Sequence, residues 1–281
     1  MSFVRFSHSV FALPFALTGA LLALHAAPLP AGEIARRVLW IIVAMVAARS
    51  AAMGFNRVVD ARYDAHNPRT AMRELPRGLM TRTEAVAFVV IASMLFVGAA
   101  YALSWTCFVL SPLALAIVFW YSLAKRVTTW TQFFLGLAMA VAPVGGWLAA
   151  GGAIGAFEPW LLGAAIGTWV GGFDILYACQ DLDFDRTVGL QSIPVRFGVR
   201  RSLLMSRLMH VLTVVCLAAL AATADLGRVY PMGVALVAVL LVYEQSLVRE
   251  DDLSQVKKAF DLNGYVGILY FAVTAASIYV H

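Results

Sequence analysis

The sequence has little charge and few cysteines for its length. Only 13% of its 281 residues are Asp, Glu, Lys or Arg, and 62% are hydrophobic, whereas a soluble domain is typically about a quarter charged. The three cysteines form no CxxC pair and no Cys/His metal pattern. We therefore expect small buried thiols rather than a structural zinc site. The low charge and apolar excess exclude a soluble domain and predict a polytopic membrane protein.

Apolar stretches long enough to cross a bilayer recur nine times. A spanning helix needs about 20 mostly apolar residues. Residues 85–124 carry no charge, which is too long for one span, so we divide this stretch near Ser104. The predicted spans cover approximately 9–27, 38–56, 84–103, 106–123, 130–150, 159–178, 203–223, 229–247 and 262–280. The sequence therefore predicts an all-α, integral membrane fold with nine transmembrane helices in one domain over residues 1–281.

Basic residues are distributed unevenly between the predicted loops. If the N-terminus is cytoplasmic, 17 of the 21 Lys and Arg residues fall on the cytoplasmic side, in agreement with the positive-inside rule. The two longest loops, about 57–83 and 179–201, then also face the cytoplasm. Because orientation accounts for the net charge of +5, we expect the lipid bilayer as a partner and no nucleic acid.

Two acidic motifs lie at the predicted cytoplasmic ends of helices 2 and 6. They read Asn56-x-x-x-Asp60-x-x-x-Asp64 and Asp181-x-Asp183-x-Asp185. A spacing of four residues places acids one turn apart on one helix face, and Asp183 then points elsewhere. Because the motifs lie four helices apart, they suggest two related halves, helices 1–4 and 5–8, followed by helix 9.

Paired carboxylates of this kind suit a magnesium site. Mg²⁺ prefers one or two carboxylates together with phosphate oxygens and water, and it neutralises charge on a departing pyrophosphate. The alternative is a set of ordinary salt bridges to the abundant arginines. Two pairs at matched helix ends, with Asn56 in phase, favour the metal site. The candidate metal ligands are Asp60, Asp64, Asp181 and Asp185.

Basic side chains near the motifs are candidate substrate contacts. A diphosphate is well bound by bidentate guanidinium groups and by lysine, whereas contact with lipid headgroups is the alternative role. Arg49 lies seven residues before Asn56 on the motif face, and an intramembrane arginine is a candidate site residue by default. The other candidates are Arg69, Arg73, Lys125 and Arg126.

One aromatic side chain, Tyr177, is in phase with an acidic motif. It lies four residues before Asp181, and an aromatic face attracts a cation. Phe15 and Tyr121 are also placed where they would reach a carbocation, but aromatic residues in such a chain are more often packing or interface residues. We therefore expect a site role for Tyr177 and packing roles for the other two.

Together these motifs resemble those of the UbiA superfamily of intramembrane aromatic prenyltransferases. Residues 56–73 are similar to NxxxDxxxD followed by RTxxR, residues 174–185 to DxxYxxxDxxxD, and residues 121–128 to YxxxKRxT. The similarity covers nearly the whole chain, and residues 192–198 and 258–267 resemble the bacterial quinone branch. The resemblance implies nine helices around a central cavity, capped by the two acidic loops at the cytoplasmic face of the bacterial cytoplasmic (inner) membrane.

The resemblance also implies a Mg²⁺-dependent reaction. A polyprenyl diphosphate ionises to an allylic cation, and an aromatic acid attacks the cation at a ring carbon, as in ubiquinone or menaquinone biosynthesis. The four aspartates and Asn56 would hold metal and diphosphate, and Tyr177 would stabilise the cation or orient Asp181. The implied phosphate contacts are Arg69, Arg73 and Lys125. The candidates for the aromatic carboxylate are Arg49 and Arg126.

The aromatic acceptor stays open at this stage. Arg57 follows Asn56 where many hydroxybenzoate enzymes have Asp, and Glu74 follows Arg73 where they often have Pro. Residues 8–15 look instead like the subgroup associated with the futalosine route to menaquinone. The resemblance therefore leaves two acceptors, 4-hydroxybenzoate and 1,4-dihydroxy-6-naphthoate.

Two other functional classes are alternatives to an aromatic prenyltransferase. A membrane transporter for a divalent cation or phosphate compound would also use intramembrane carboxylates, but here the acids cluster at one membrane face. A CDP-alcohol phosphotransferase would carry a signature resembling DGxxAR between close acids, and nothing in the sequence matches it.

Overall fold

The computed structural model describes residues 12–66 and 70–279, and this part of the chain is almost entirely helical. A 3₁₀ turn covers Cys179–Asp181, and the described residues form no strand. The helices are α1 (Leu13–Ala26), α2 (Ala31–Asp64), α3 (Arg82–Leu103), α4 (Trp105–Ala124), α5 (Thr131–Ala149), α6 (Glu158–Ala178), α7 (Leu182–Val188), α8 (Ile193–Thr223), α9 (Val229–Ser246) and α10 (Val256–Tyr279). The all-α prediction is confirmed.

The described helices have the length and apolarity of membrane spans. Eight of them are long and apolar enough to cross a bilayer. The first predicted span corresponds to α1, a shorter apolar helix of 14 residues, and residues 9–11 of that span lie outside the described residues. Large apolar side chains such as Ile91 and Val239 cover the outer surface, as expected where lipid replaces water. The integral membrane fold is therefore confirmed, whereas the division into halves stays a prediction.

Local sequence signals explain where α3 begins and ends. The Thr81 side chain accepts a hydrogen bond from the Glu84 amide at 3.2 Å, and the Glu84 carboxylate accepts one from the Thr81 amide at 2.8 Å. This reciprocal capping satisfies amides that a helix start leaves unpaired. Ser104 ends α3 and caps α4, because its hydroxyl oxygen accepts from the Cys107 amide at 3.1 Å. The predicted division near Ser104 is confirmed.

Helices α2 and α8 extend furthest beyond their predicted spans. Helix α2 has 34 residues and is therefore about 51 Å long, compared with about 30 Å for the hydrocarbon core. Its last turns consequently carry the first acidic motif past the predicted end at residue 56. Helix α8 begins ten residues before the predicted span and breaks at Gly198, whose φ of 77° and ψ of 167° are readily adopted only by glycine.

Helix α1 lies inside the bundle, in contact with α2, α5, α6 and α10. It approaches α5 closely because glycines face it. A Cβ atom on Gly146 would lie 1.9 Å from the Ala16 carbonyl oxygen, so only glycine permits this spacing. The Phe15 ring of α1 also contacts Trp169 edge-on, with 5.5 Å between centroids. Consecutive helices pack on one another and α10 returns to α1, which closes the bundle.

Candidate active site

Both acidic motifs line a single cavity of about 210 Å³. Helix α2 contributes the first motif, and the segment that follows α6 contributes the second. Three of the motif acids, Asp60, Asp64 and Asp185, are buried. The complete lining is Asn56, Asp60, Tyr63, Asp64, Thr70, Arg73, Tyr121, Ser122, Lys125, Thr131, Asp181, Phe184, Asp185 and Leu190. The structure thus brings together the acids that the sequence placed at two separate helix ends.

Asp60 is surrounded by three of the predicted site residues. The Asn56 side-chain amide donates to one carboxylate oxygen at 3.0 Å, and the Lys125 ammonium lies 4.0 Å from the same oxygen. The Arg126 guanidinium donates to the other oxygen at 2.5 Å and to the Val59 carbonyl at 2.7 Å. A buried carboxylate needs such partners, because leaving it unpaired costs several kcal/mol.

Asp64 is held by the loop that follows α2. One Arg73 nitrogen donates to both of its carboxylate oxygens, at 2.7 and 2.9 Å. The Thr70 hydroxyl donates to the Asp64 carbonyl at 3.2 Å. The predicted phosphate contact Arg73 therefore lies at the cavity wall, paired with a predicted metal ligand. Arg69, the other predicted contact in this loop, lies outside the described residues.

The second motif differs from the continuous helical stripe that its spacing predicted. The α-helix ends at Ala178, Asp181 closes the 3₁₀ turn, and Asp185 lies within the short helix α7. Both acids nevertheless line the cavity, and Asp183 is exposed as expected. After α7, Gly189 adopts a φ of 71°, and the Leu190 amide donates back to the Asp185 carbonyl at 2.8 Å. This turn closes the second loop beside the cavity.

Hydrogen bonds join the second loop to the α4–α5 connection and to the first turn of α5. The Gln191 amide donates to the Lys125 carbonyl at 2.8 Å, and the Ile193 amide donates to the Gln132 side chain at 3.2 Å. Because Lys125 and Arg126 belong to this connection, the contacts fix the predicted cations relative to the second acidic motif. Gln132 was not among the predicted site residues, since a lone glutamine within an apolar span does not indicate its partner.

The aromatic residues are not arranged as the sequence suggested. Tyr121 lines the cavity and interacts electrostatically with Arg49, Asp60 and Tyr177. Tyr177 itself is half-buried and packs against an apolar cluster that includes Leu176. Tyr121, expected to be a packing residue, is thus at the cavity wall, whereas Tyr177 is not one of the lining residues. The catalytic role of Tyr177 stays a prediction.

The two arginines predicted to bind the aromatic carboxylate share one property. Within the described part of the chain, the Nε atoms of Arg49 and Arg126 are buried and have no hydrogen-bond partner. Buried donors without a partner are rare in native proteins. Arg126 also lies over the Tyr63 ring, 5.3 Å from its centroid. Each arginine therefore has a donor for which the described residues supply no acceptor.

The acids are suited to a metal that is shared with a ligand. Among the described residues, no three His, Cys, Asp or Glu side chains form a group that would hold an ion without help. The cavity instead presents carboxylates in pairs, on walls that also carry Arg73 and Lys125. This donor set fits Mg²⁺, which commonly takes one or two carboxylates and completes its shell with phosphate oxygens and water.

Comparison with known proteins gives consistent matches. The family model described as the UbiA prenyltransferase family matches residues 12–272. The 4-hydroxybenzoate octaprenyltransferase of Aliivibrio fischeri (strain MJ11) is 32% identical over 240 residues, which cover 84% of this chain and 82% of that protein. The protein of the same name from Edwardsiella ictaluri (strain 93-146) is 34% identical over 232 residues, covering 79% and 77%.

Solved structures with the same fold also match. The apo structure of a UbiA homologue from Aeropyrum pernix K1 has a TM-score of 0.86 and 35% identity, covering 96% of this chain and 98% of that chain. A UbiA homologue from Archaeoglobus fulgidus bound to GPP and Mg²⁺ has a TM-score of 0.76 at 20% identity and covers 100% of both chains. At that identity the second match supports the fold.

Proposed function

The chain belongs to the UbiA prenyltransferase family and is a membrane-embedded prenyltransferase, and on this premise we propose its reaction: Mg²⁺-dependent transfer of a polyprenyl group from polyprenyl diphosphate to a ring carbon of an aromatic acid. The product would enter ubiquinone or menaquinone biosynthesis. The observation that carries the proposal is the cavity in which both acidic motifs meet Arg73 and Lys125. Because the relatives are prenyltransferases, the transporter considered from the sequence has no support.

The acids of the cavity are assigned to the metal. Asp60, Asp64, Asp181 and Asp185 offer the hard oxygens that Mg²⁺ prefers, and Asn56 orients Asp60 through its hydrogen bond. When bound, Mg²⁺ neutralises negative charge on the leaving diphosphate. The homologue from Archaeoglobus fulgidus was captured with GPP and Mg²⁺, but the assignment here depends on this chain's own donor set.

The cations of the cavity are assigned to the diphosphate. Arg73 and Lys125 are now paired with Asp64 and Asp60. When those acids bind metal, both cations become available for phosphate oxygens, to which charge-assisted hydrogen bonds are strong. Arg69 receives the same role from the motif it belongs to. The polar end of the cavity would thus hold the diphosphate while the prenyl tail extends into the bilayer.

The aromatic acid is assigned to Arg49 and Arg126. Their buried, unpartnered Nε donors would each be satisfied by a carboxylate oxygen. The names of the relatives from Aliivibrio and Edwardsiella specify 4-hydroxybenzoate, which favours that acceptor for this chain. The alternative, 1,4-dihydroxy-6-naphthoate, carries the same carboxylate on a larger ring system.

The proposed reaction proceeds by loss of diphosphate and attack by the ring. The oxygen of the departing diphosphate takes the electron pair of the C1–O bond, and an allylic cation remains. A pair of ring π electrons then forms the new carbon–carbon bond at C1, and the ring carbon loses its proton to the released diphosphate. Burial within the membrane protects the cation from water. Tyr121 lines the cavity wall, and Tyr177 interacts electrostatically with Tyr121.

The location of the site follows from the loop charges. We place the protein in the bacterial cytoplasmic (inner) membrane, with its N-terminus and both acidic loops in the cytoplasm, because this orientation keeps 17 of 21 basic residues inside. The diphosphate donor and the water-soluble aromatic acid then reach the cavity from the cytoplasmic side.

A product assay tests the proposal. Purified protein is given Mg²⁺, prenyl diphosphates of several lengths, and either 4-hydroxybenzoate or 1,4-dihydroxy-6-naphthoate. Mass spectrometry should detect a ring-prenylated product with one acceptor and free pyrophosphate in equal amount. Absence of a prenylated product with both acceptors across all donor lengths, from protein that is folded, would refute the reaction. Uptake of solute into proteoliposomes without chemical change would favour transport instead.

A further inference from the structure

An ion pair outside the cavity lining joins α2 to the loop that follows it. Arg57 lies on α2 directly after Asn56, and Glu74 lies in the loop directly after Arg73. The Arg57 guanidinium bonds the Glu74 carboxylate, and their side chains are only 12% and 24% exposed. Neither residue lines the cavity. The pair therefore connects the motif helix to the loop one residue from a predicted diphosphate contact.

The loop is folded into turns around this connection. The Arg73 amide donates to the Thr70 carbonyl at 2.9 Å, and the Leu79 amide donates to the Glu74 carbonyl, also at 2.9 Å. The backbone at residues 73 and 74 is thus restrained from both sides. Because a side chain next to a fixed anchor has little freedom, an anchored Glu74 limits where the Arg73 guanidinium can move.

The pair also removes an unfavourable charge interaction. Arg57 interacts electrostatically with Glu74, Arg73 and Asp64, so two of its neighbours attract it and Arg73 repels it. If Glu74 lost its charge, Asp64 alone would offset the repulsion between Arg57 and Arg73. Arg73 would then move away from the cavity mouth, most strongly when Asp64 binds metal in place of Arg73.

We propose that Arg57 and Glu74 are positioning residues that hold Arg73 at the cavity mouth for the donor's diphosphate. This inference rests on the proposed function, in which Arg73 contacts the diphosphate. Neither residue of the pair touches the substrates. They act by fixing the position of Arg73. We therefore expect them to affect binding of the diphosphate rather than of the aromatic acid, which is assigned to other arginines.

Direct binding of Mg²⁺-pyrophosphate tests the proposal independently of turnover. We expect Glu74→Gln to weaken binding by about tenfold in calorimetry on detergent-solubilised protein, equivalent to about 1.4 kcal/mol, and the charge-reversed pair R57E/E74R to recover most of the affinity. Glu250→Gln is the matched control, because it makes the same change at an exposed acid outside the cavity lining. Wild-type affinity in Glu74→Gln, or an equal loss in Glu250→Gln, would overturn the proposal.

Steady-state kinetics separates positioning from loss of structure. Glu74→Gln should raise KM for the prenyl diphosphate and leave KM for the aromatic acid within about twofold. A lower melting temperature with both KM values unchanged would mean that the pair is only structural. If wild-type protein binds Mg²⁺-pyrophosphate but forms no prenylated product, the proposed reaction fails while the positioning role is still decided by calorimetry. If wild-type protein does not bind it, both proposals fail.

Discussion

Replacing Asp64 with Asn should have opposite effects on catalysis and on metal-free anion binding. In the structure the Asp64 carboxylate already has a partner, since Arg73 donates to both of its oxygens at 2.7 and 2.9 Å. The same carboxylate is thus a metal ligand in the proposed reaction and a competitor for the cation that binds diphosphate. Asp64→Asn removes both properties. We expect prenyl transfer to fall and pyrophosphate binding without metal to become tighter.

The size of the gain follows from the burial of the pair. The Asp64 side chain is 9% exposed and the Arg73 side chain 36%. Exposed ion pairs contribute about 0.2–1 kcal/mol, and buried charges left without a partner cost about 3–5 kcal/mol. Because the Arg73 side chain is partly exposed, the free energy contributed by this pair should lie toward the lower of these values, at about 1–2 kcal/mol. Releasing it should raise the metal-free affinity for pyrophosphate by about five- to thirtyfold.

Calorimetry with inorganic pyrophosphate in the presence of EDTA measures this gain. Asp183→Asn is the control, because it removes the same charge from an exposed acid outside the cavity lining. Adding Mg²⁺ should reverse the order, so that wild-type protein binds more tightly than Asp64→Asn. Equal metal-free affinities in the three proteins, or weaker binding by Asp64→Asn, would refute the idea that the acids and cations of the site neutralise each other before substrate arrives.

Three further predictions concern the acids, the acceptor and the fold. Asp60→Ala or Asp181→Ala should lower prenyl transfer at least about a hundredfold in protein that still inserts into membranes, and near-normal turnover by both variants at saturating Mg²⁺ would contradict the metal assignment. Arg126→Ala should raise KM for the aromatic acid by about tenfold, because a charged hydrogen bond is lost; a change confined to the donor's KM would argue against this role. Gly146→Ala should destabilise the protein by about 1–3 kcal/mol, because its Cβ would overlap α1, whereas Gly145→Ala, which meets open space, should melt like wild type.

Much of the site was accessible from residue spacing. Asp60 and Asp64 are four residues apart on a regular helix, as the spacing required, and Asp183 is exposed. The second motif shows the limit of this reasoning. No Gly or Pro occurs between residues 174 and 185, so nothing in the sequence marks the change from α-helix to 3₁₀ turn after Ala178. The acids still reach the cavity, because the 3₁₀ turn carries Asp181 and the short helix α7 carries Asp185 to its wall.

Contacts between side chains that are far apart in the sequence were not predictable from spacing. The sequence identified Arg57 and Glu74 as two separate departures from related enzymes, and the structure joins them in one ion pair. Tyr121 was expected to pack, yet it lines the cavity. Glu74 lies 17 residues after Arg57, in the loop that follows α2, and the groups that interact with Tyr121 lie on α2 and α6. Local spacing therefore predicts neither contact.

The sequence by itself determined the membrane fold, the division at Ser104 and the residue types of the site. These properties depend on local composition and on helical spacing, which a chain carries before it packs. Only the tertiary structure decided that Arg73 pairs with Asp64, that Arg126 pairs with Asp60, and that the Nε donors of Arg49 and Arg126 have no partner among the described residues. The physical reason is that an ion pair requires contact within a few ångströms, and the packing of distant segments alone sets that distance.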